Sequence, residues 1–153
     1  MSCLKQKTLQ VILLMNMRNK NLKPHHFIST KQTVYLNECK NNIQEQECLV
    51  IQDFAENYTF ITQDEIQAAY WNSKQCTIHP VIIYYRASEE LEHKCVVIVS
   101  ESLKHDINAV HLFNMGIIDF IKSNLPKVKH IKYFSDGCPG QYKNKFTLFN
   151  LCK

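Results

Sequence analysis

Glycine is scarce in this chain, with three in 153 residues, and proline is nearly as rare, with four. Contents that low exclude a low-complexity chain and leave no long flexible linker. Long apolar runs are missing too. The best N-terminal candidate, residues 11–15, is shorter than the core of a secretory signal. No run approaches the about 18 apolar residues that a membrane span needs, so no membrane partner is expected. The seven cysteines are an odd number and have no leader beside them, and they read as reduced thiols. The chain therefore reads as nuclear or cytoplasmic, not secreted. Acidic residues are absent from residues 1–37, which carry a net charge of +6. The middle, 38–121, carries −8, and residues 122–153 carry +6 with Asp136 as their one acid. A basic end around a single acid suits a polyanion held through a metal, and suits a solvated lysine-rich surface equally well.

What is present reads as a basic helical segment, 1–46, followed by an α/β core, 47–153. Leu9, Ile12, Leu13 and Met17 share one helical face. Pro24 breaks that pattern, and Ser29 or Thr30 caps a second helix carrying Val34, Leu36 and Ile43. The apolar run 48–51 suits a strand buried on both faces, with Asp53 just past its end. Residues 62–71 favour a short helix, with Thr62 as cap and Glu65 three positions on. Residues 78–85 and 95–99 are strand-like and make an antiparallel hairpin around a polar turn, 87–92. Residues 106–125 form the longest helix, capped by Asp106, stopped by Pro126 and faced by Ile107, Val110, Phe113, Ile117 and Ile121. Gly116 sits inside it, where a close packing neighbour would explain it. A strand over 128–134 and the opening turns of another helix, 144–153, end the chain. A right-handed crossover through the long helix places the last strand parallel to the first and beside it. The expected fold is α/β with a mixed sheet.

Two histidine patterns suggest metals and are set aside. His25-His26 has no further ligand at metal spacing and reads as a surface or packed pair. Cys76-x-x-His79 and His93-x-Cys95 invite zinc. With Arg86 opposite Glu92, however, His93 faces Tyr85, six residues or about 20 Å from His79. Asp53 and Asp136 are different, because the strand order brings them to the same end of adjacent strands. Two carboxylates there can hold divalent cations, and hard oxygen ligands select Mg²⁺ or Mn²⁺. Asp136 lies in Phe134-Ser-Asp-Gly-Cys-Pro-Gly-Gln-Tyr-Lys-Asn144, which holds two of the three glycines. Lys132, Lys143 and Lys145 are candidates for phosphate contact, Tyr142 for stacking, and Gln141 and Asn144 for hydrogen bonds to a nucleic acid. A helix N-terminus with its tyrosine packed on the core explains residues 141–144 as well.

The strings Asp53-Phe-Ala-Glu-Asn-Tyr58, Trp71-Asn-Ser-Lys-Gln-Cys-Thr-Ile-His-Pro80 and 134–144 resemble blocks of a transposon-derived family of invertebrate genomes. His25-His26-Phe27 and Leu103-Lys-His-Asp106 also resemble its spacing, so the likeness covers residues 24–153. The resemblance implies a ribonuclease H-like core of the DDE transposase and integrase type, cleaving and joining DNA with bound metal. Asp53 is then the first catalytic acid and Asp136 the second. It also implies a third acid on a later helix, yet the sequence ends 17 residues after Asp136 with no residue to fill that role. The chain thus reads as a C-terminally truncated, partial core, inactive alone, whose oligomeric state is open. A non-catalytic nucleic-acid-binding remnant and a protein-interaction domain with two structural aspartates are the competing readings.

Overall fold

A computed structural model describes residues 22, 24–60 and 73–151. The expected helices in 1–21 and 62–71 lie outside those residues. The chain divides into two compact units, Met1–Asn42 and Ile43–Lys153.

In the first unit, helix α1 covers residues 24–41. Pro24 does not break a helix here. Residue 22, ahead of it, is helical as well. Ser29 and Thr30 are likewise interior positions rather than caps. The Thr30 hydroxyl donates to the His26 carbonyl at 2.8 Å, and Thr33 donates to that of Ser29 at 2.9 Å, the back-bonding available to hydroxyls inside a helix. Ile43 lies beyond α1, in the second unit.

The second unit is α/β, built on one mixed five-stranded sheet. Its elements are β1 (Glu47–Gln52), β2 (Tyr58–Thr59), β3 (Gln75–Ala87), β4 (Glu90–Ser100), α2 (Ile107–Asn124), β5 (His130–Phe134) and α3 (Lys145–Leu151). β3 is the long central member. It pairs antiparallel with β4 along its length, with β1 through Val81 to Tyr85, and with the short β2 at its start. β5 closes the other side of β1 in parallel, as expected from a helical crossover, with Ile51 opposite Phe134. No helix among the described residues is long and apolar enough to cross a membrane.

The β3–β4 hairpin differs from the expected register by one residue. Tyr85 faces Glu92 and Tyr84 faces His93, around a two-residue turn at Ser88 and Glu89. Both turn residues have positive φ, 49° and 73°, the backbone that a tight hairpin turn demands. Asn or Gly usually marks such a turn and neither is present, which hid it. The slip moves every β4 side chain to the opposite face from the expected one. It also leaves His93 five residues from His79 along the ladder, about 17 Å, still too far to share a metal.

Alternation along the strands builds the core. Cys48, Val50, Val81, Ile83 and Tyr85 turn to one face and meet Ile117 and Ile121 of α2. Full burial of each such aliphatic chain contributes about 1.5–3 kcal/mol. Asp106 caps α2 as expected, accepting from the Asn108 and Ala109 amides at 3.0 Å each. Gly116 departs from expectation. It is exposed, and a Cβ built there meets nothing within 4 Å. α3 packs against α2.

Candidate metal centre

The apolar face of β1 ends abruptly. Cys48 and Val50 point into the core, and the next residue of the same parity is Gln52, also buried. Its partners are polar residues of neighbouring elements. The Gln52 amide donates to Asn114 Oδ1 on α2 at 2.9 Å, and its Oε1 faces Nε2 of His79 at 3.3 Å. His79 is 0% exposed, and burial, with the charge of His105 second, pushes its pKa down to about 4. A second polar group lies beside it. His105 Nε2 meets Asn57 Oδ1 at 2.9 Å and Thr77 Oγ1 at 3.1 Å, and the Thr77 hydroxyl also lies 2.7 Å from the Ser102 carbonyl. Phe54 fills the space between the groups. Its ring stacks on His105 at 4.4 Å and tilts against His79 at 4.6 Å. The floor beneath the end of β1 is therefore a packed layer of amides, imidazoles and aromatic rings.

Asp53 stands on that floor, between Gln52 and Phe54. Its Oδ1 accepts from the Phe54 amide at 2.8 Å, which fixes one carboxylate oxygen against the backbone. Asp136 is held in the same manner, with Oδ1 accepting from the Cys138 amide at 3.0 Å in a tight Asx turn. Gly137 between them has φ +75°, a left-handed conformation that glycine adopts without penalty. Each acid lies two residues past the paired positions Ile51 and Phe134, on parallel strands whose axes are about 4.8 Å apart. Both are exposed, and neither forms an ion pair with a described residue. Burial raises the Asp53 pKa, and the neighbouring charge of Asp136 raises it further against the pull of the Phe54 amide. The two carboxylates thus repel each other across the strand ends, a repulsion that a cation between them would relieve.

The other expected contact residues divide. Lys143 and Lys145 are exposed, with the Lys145 ammonium 5.0 Å from the Phe146 ring centre. The half-buried Gln141 lends its carbonyl to the Thr147 hydroxyl at 2.9 Å. Asn144 does not offer its amide outward. Its Oδ1 accepts from the Thr147 amide at 2.9 Å as an α3 cap, and its Nδ2 donates to the Gln141 carbonyl at 3.1 Å. Tyr142 is not a free stacking platform either, because it is buried with its ring 6.1 Å from that of Phe54. Lys132 pairs with Glu47 at 2.8 Å and lies four residues, about 13 Å of extended chain, before Asp136. Residues 141–144 are accordingly a helix start with its tyrosine packed inward.

Two carboxylates satisfy only part of an octahedral shell, a fit suited to Mg²⁺ or Mn²⁺, which keep several waters. No group of three or more potential His, Cys, Asp or Glu ligands occurs among the described residues. Gln52, Phe54, His79, His105 and Asn114 shape this end of the sheet without having been singled out as site residues. The available signal was Gln52 itself, a polar residue continuing a buried strand. A separate hollow, lined by Tyr85, Arg86, Asn124, Leu125 and Val128, opens at the far end of the sheet and is no part of the acid pair.

Fold and site together define an α/β protein with paired aspartates at the carboxyl ends of two adjacent parallel strands. Residues 32–153 match the model of a domain of unknown function, DUF8701, and the chain belongs to that family. No curated protein and no solved structure matches the chain.

Proposed function

We propose that the Asp53–Asp136 pair binds a divalent cation, Mg²⁺ or Mn²⁺, and through it the phosphate backbone of DNA, as in a ribonuclease H-like transposase core. The observation that carries this reading is the shared position of the two acids, one strand apart at the same sheet end, with the Asp136 charge bearing on Asp53. The sheet order, β4–β3–β1–β5 with β5 parallel to β1, agrees with that core. A cation here would screen the two acids and polarise a phosphodiester oxygen. Lys143 and Lys145 lie on the same chain segment as Asp136 and supply positive charge for neighbouring phosphates.

Cleavage and strand transfer require further ligation. A second form of this reading is a domain that binds nucleic acid through its basic ends without cutting it.

Thermal unfolding with and without millimolar Mn²⁺ tests the cation. At a hundredfold excess over the dissociation constant, binding stabilises the folded state by about 2.7 kcal/mol. The wild-type chain should melt higher with Mn²⁺ and Asp136→Asn should not respond. A wild-type chain that unfolds cooperatively and ignores Mn²⁺ would remove the reading.

A further inference from the structure

The acid pair has a third polar neighbour whose chemistry is unspent. Tyr142 is 7% exposed, and its hydroxyl is buried with no hydrogen-bond partner. A buried donor left unpaired costs about 1–3 kcal/mol. Phenylalanine would fill the same ring space beside Phe54 without that cost, so packing alone does not account for the oxygen. The charges that bear on the phenol, after burial itself, are Asp53, Asp136 and Cys138. Both aspartates have one oxygen anchored on a backbone amide, and each carboxylate retains lone pairs for further donors. Geometry places the residue at the same strand ends: the Tyr142 amide donates to the Cys138 carbonyl at 2.8 Å, the Cys138 amide donates to Asp136 Oδ1 at 3.0 Å, and the Tyr142 ring lies 6.1 Å from that of Phe54, the neighbour of Asp53.

We propose that Tyr142 is a positioning residue of the acid pair, its hydroxyl donating to a carboxylate oxygen of Asp53 or Asp136 when a divalent cation is bound. The inference rests on the cation reading given above. A carboxylate with one oxygen on a metal is oriented by the donor that holds its other lone pairs, and losing such a partner typically lowers metal affinity by about 10–100-fold. The hydrogen bond to a charged acceptor is shorter and stronger than one between neutral groups. In the cation-free protein the phenol stays buried and unpaired, so its contribution appears only on binding.

Calorimetric titration with Mn²⁺ alone, on the full chain, compares wild type, Tyr142→Phe and Asp136→Asn. Tyr142→Phe should melt no lower than wild type without metal and bind Mn²⁺ about tenfold more weakly. Asp136→Asn should show no binding. A second readout needs no folded variant. When Mn²⁺ is added to wild type, the tyrosine ultraviolet difference spectrum should shift to the red as a phenol becomes a hydrogen-bond donor. Equal Mn²⁺ affinity in wild type and Tyr142→Phe overturns the inference while leaving the cation site intact. So does Mn²⁺ binding without a tyrosine signal. A wild-type chain that binds no Mn²⁺ overturns both.

Discussion

His79 shows how a single side chain can tie stability to acidity. Gln52 donates through its amide nitrogen to Asn114, so its oxygen is left to accept, and His79 therefore carries its proton on Nε2. Nδ1 is buried with no partner. Protonating that ring would place a second proton on a nitrogen with no acceptor nearby, beside His105. The folded chain therefore resists protonation of His79 down to about 4, whereas the unfolded chain takes up the proton near the ordinary value of 6.5. The stabilisation is complete above about pH 6.5 and is lost as pH falls toward 4. Within that window this one residue contributes up to about 1.4 kcal/mol per pH unit. Urea denaturation at several pH values between 7 and 4.5 should reveal the slope, and His79→Gln should flatten it. An unchanged slope in the variant would place the acid sensitivity elsewhere.

At the scale of elements, α2 was the most legible part of the chain. Five apolar residues at spacings of three and four, an aspartate before them and a proline after them determine a helix by periodicity and local chemistry. Gly116 was the exception. Its surroundings are open rather than crowded, so Gly116→Ala should stabilise the protein by about 0.5–1 kcal/mol, read as a rise in the denaturation midpoint without a change in slope. A loss of stability would mean that a methyl group is not accommodated there. The parallel pairing of β5 with β1 was also legible, because a helical connection between strands restricts the topology. The hairpin register was not, since positive φ at Ser88 and Glu89 leaves no mark in residues that rarely adopt it. The Gln52–His79–Asn114 chain was hidden for another reason. Its members lie 27 and 62 residues from Gln52 and meet only through strand register and helix docking. Sequence patterning located Asp53 and Asp136 because each follows an apolar strand. It left open whether Asn144 and Tyr142 serve the α3 start and the interior or a ligand, since capping, packing and ligand contact use the same residue types.

For the whole molecule, charge is the property that bears most on partners. The sequence has a net charge of +4, gathered toward its two ends around an acidic middle. Under the proposed reading, binding to duplex DNA should weaken with salt, the logarithm of the binding constant falling by about 0.9 per neutralised phosphate for each tenfold increase. Replacing Lys143 and Lys145 together by Gln should reduce that slope by about two, as read by fluorescence anisotropy of a labelled duplex across a salt series. An unchanged slope would remove these lysines from the phosphate contacts.

β4 takes all its backbone pairing from β3. Its outer rim is an edge with no partner among the described residues, and Val97 and Val99 stand exposed along it. Such a rim is a template on which another extended segment can be laid, in register or out of it. Charged residues at positions 90, 92 and 94 blunt the half nearest the turn, while the half from Cys95 to Val99 has no such guard. Concentration is therefore a physical variable for this protein: crowded copies can extend one another's sheets from the end of β4 that lies nearest the paired acids.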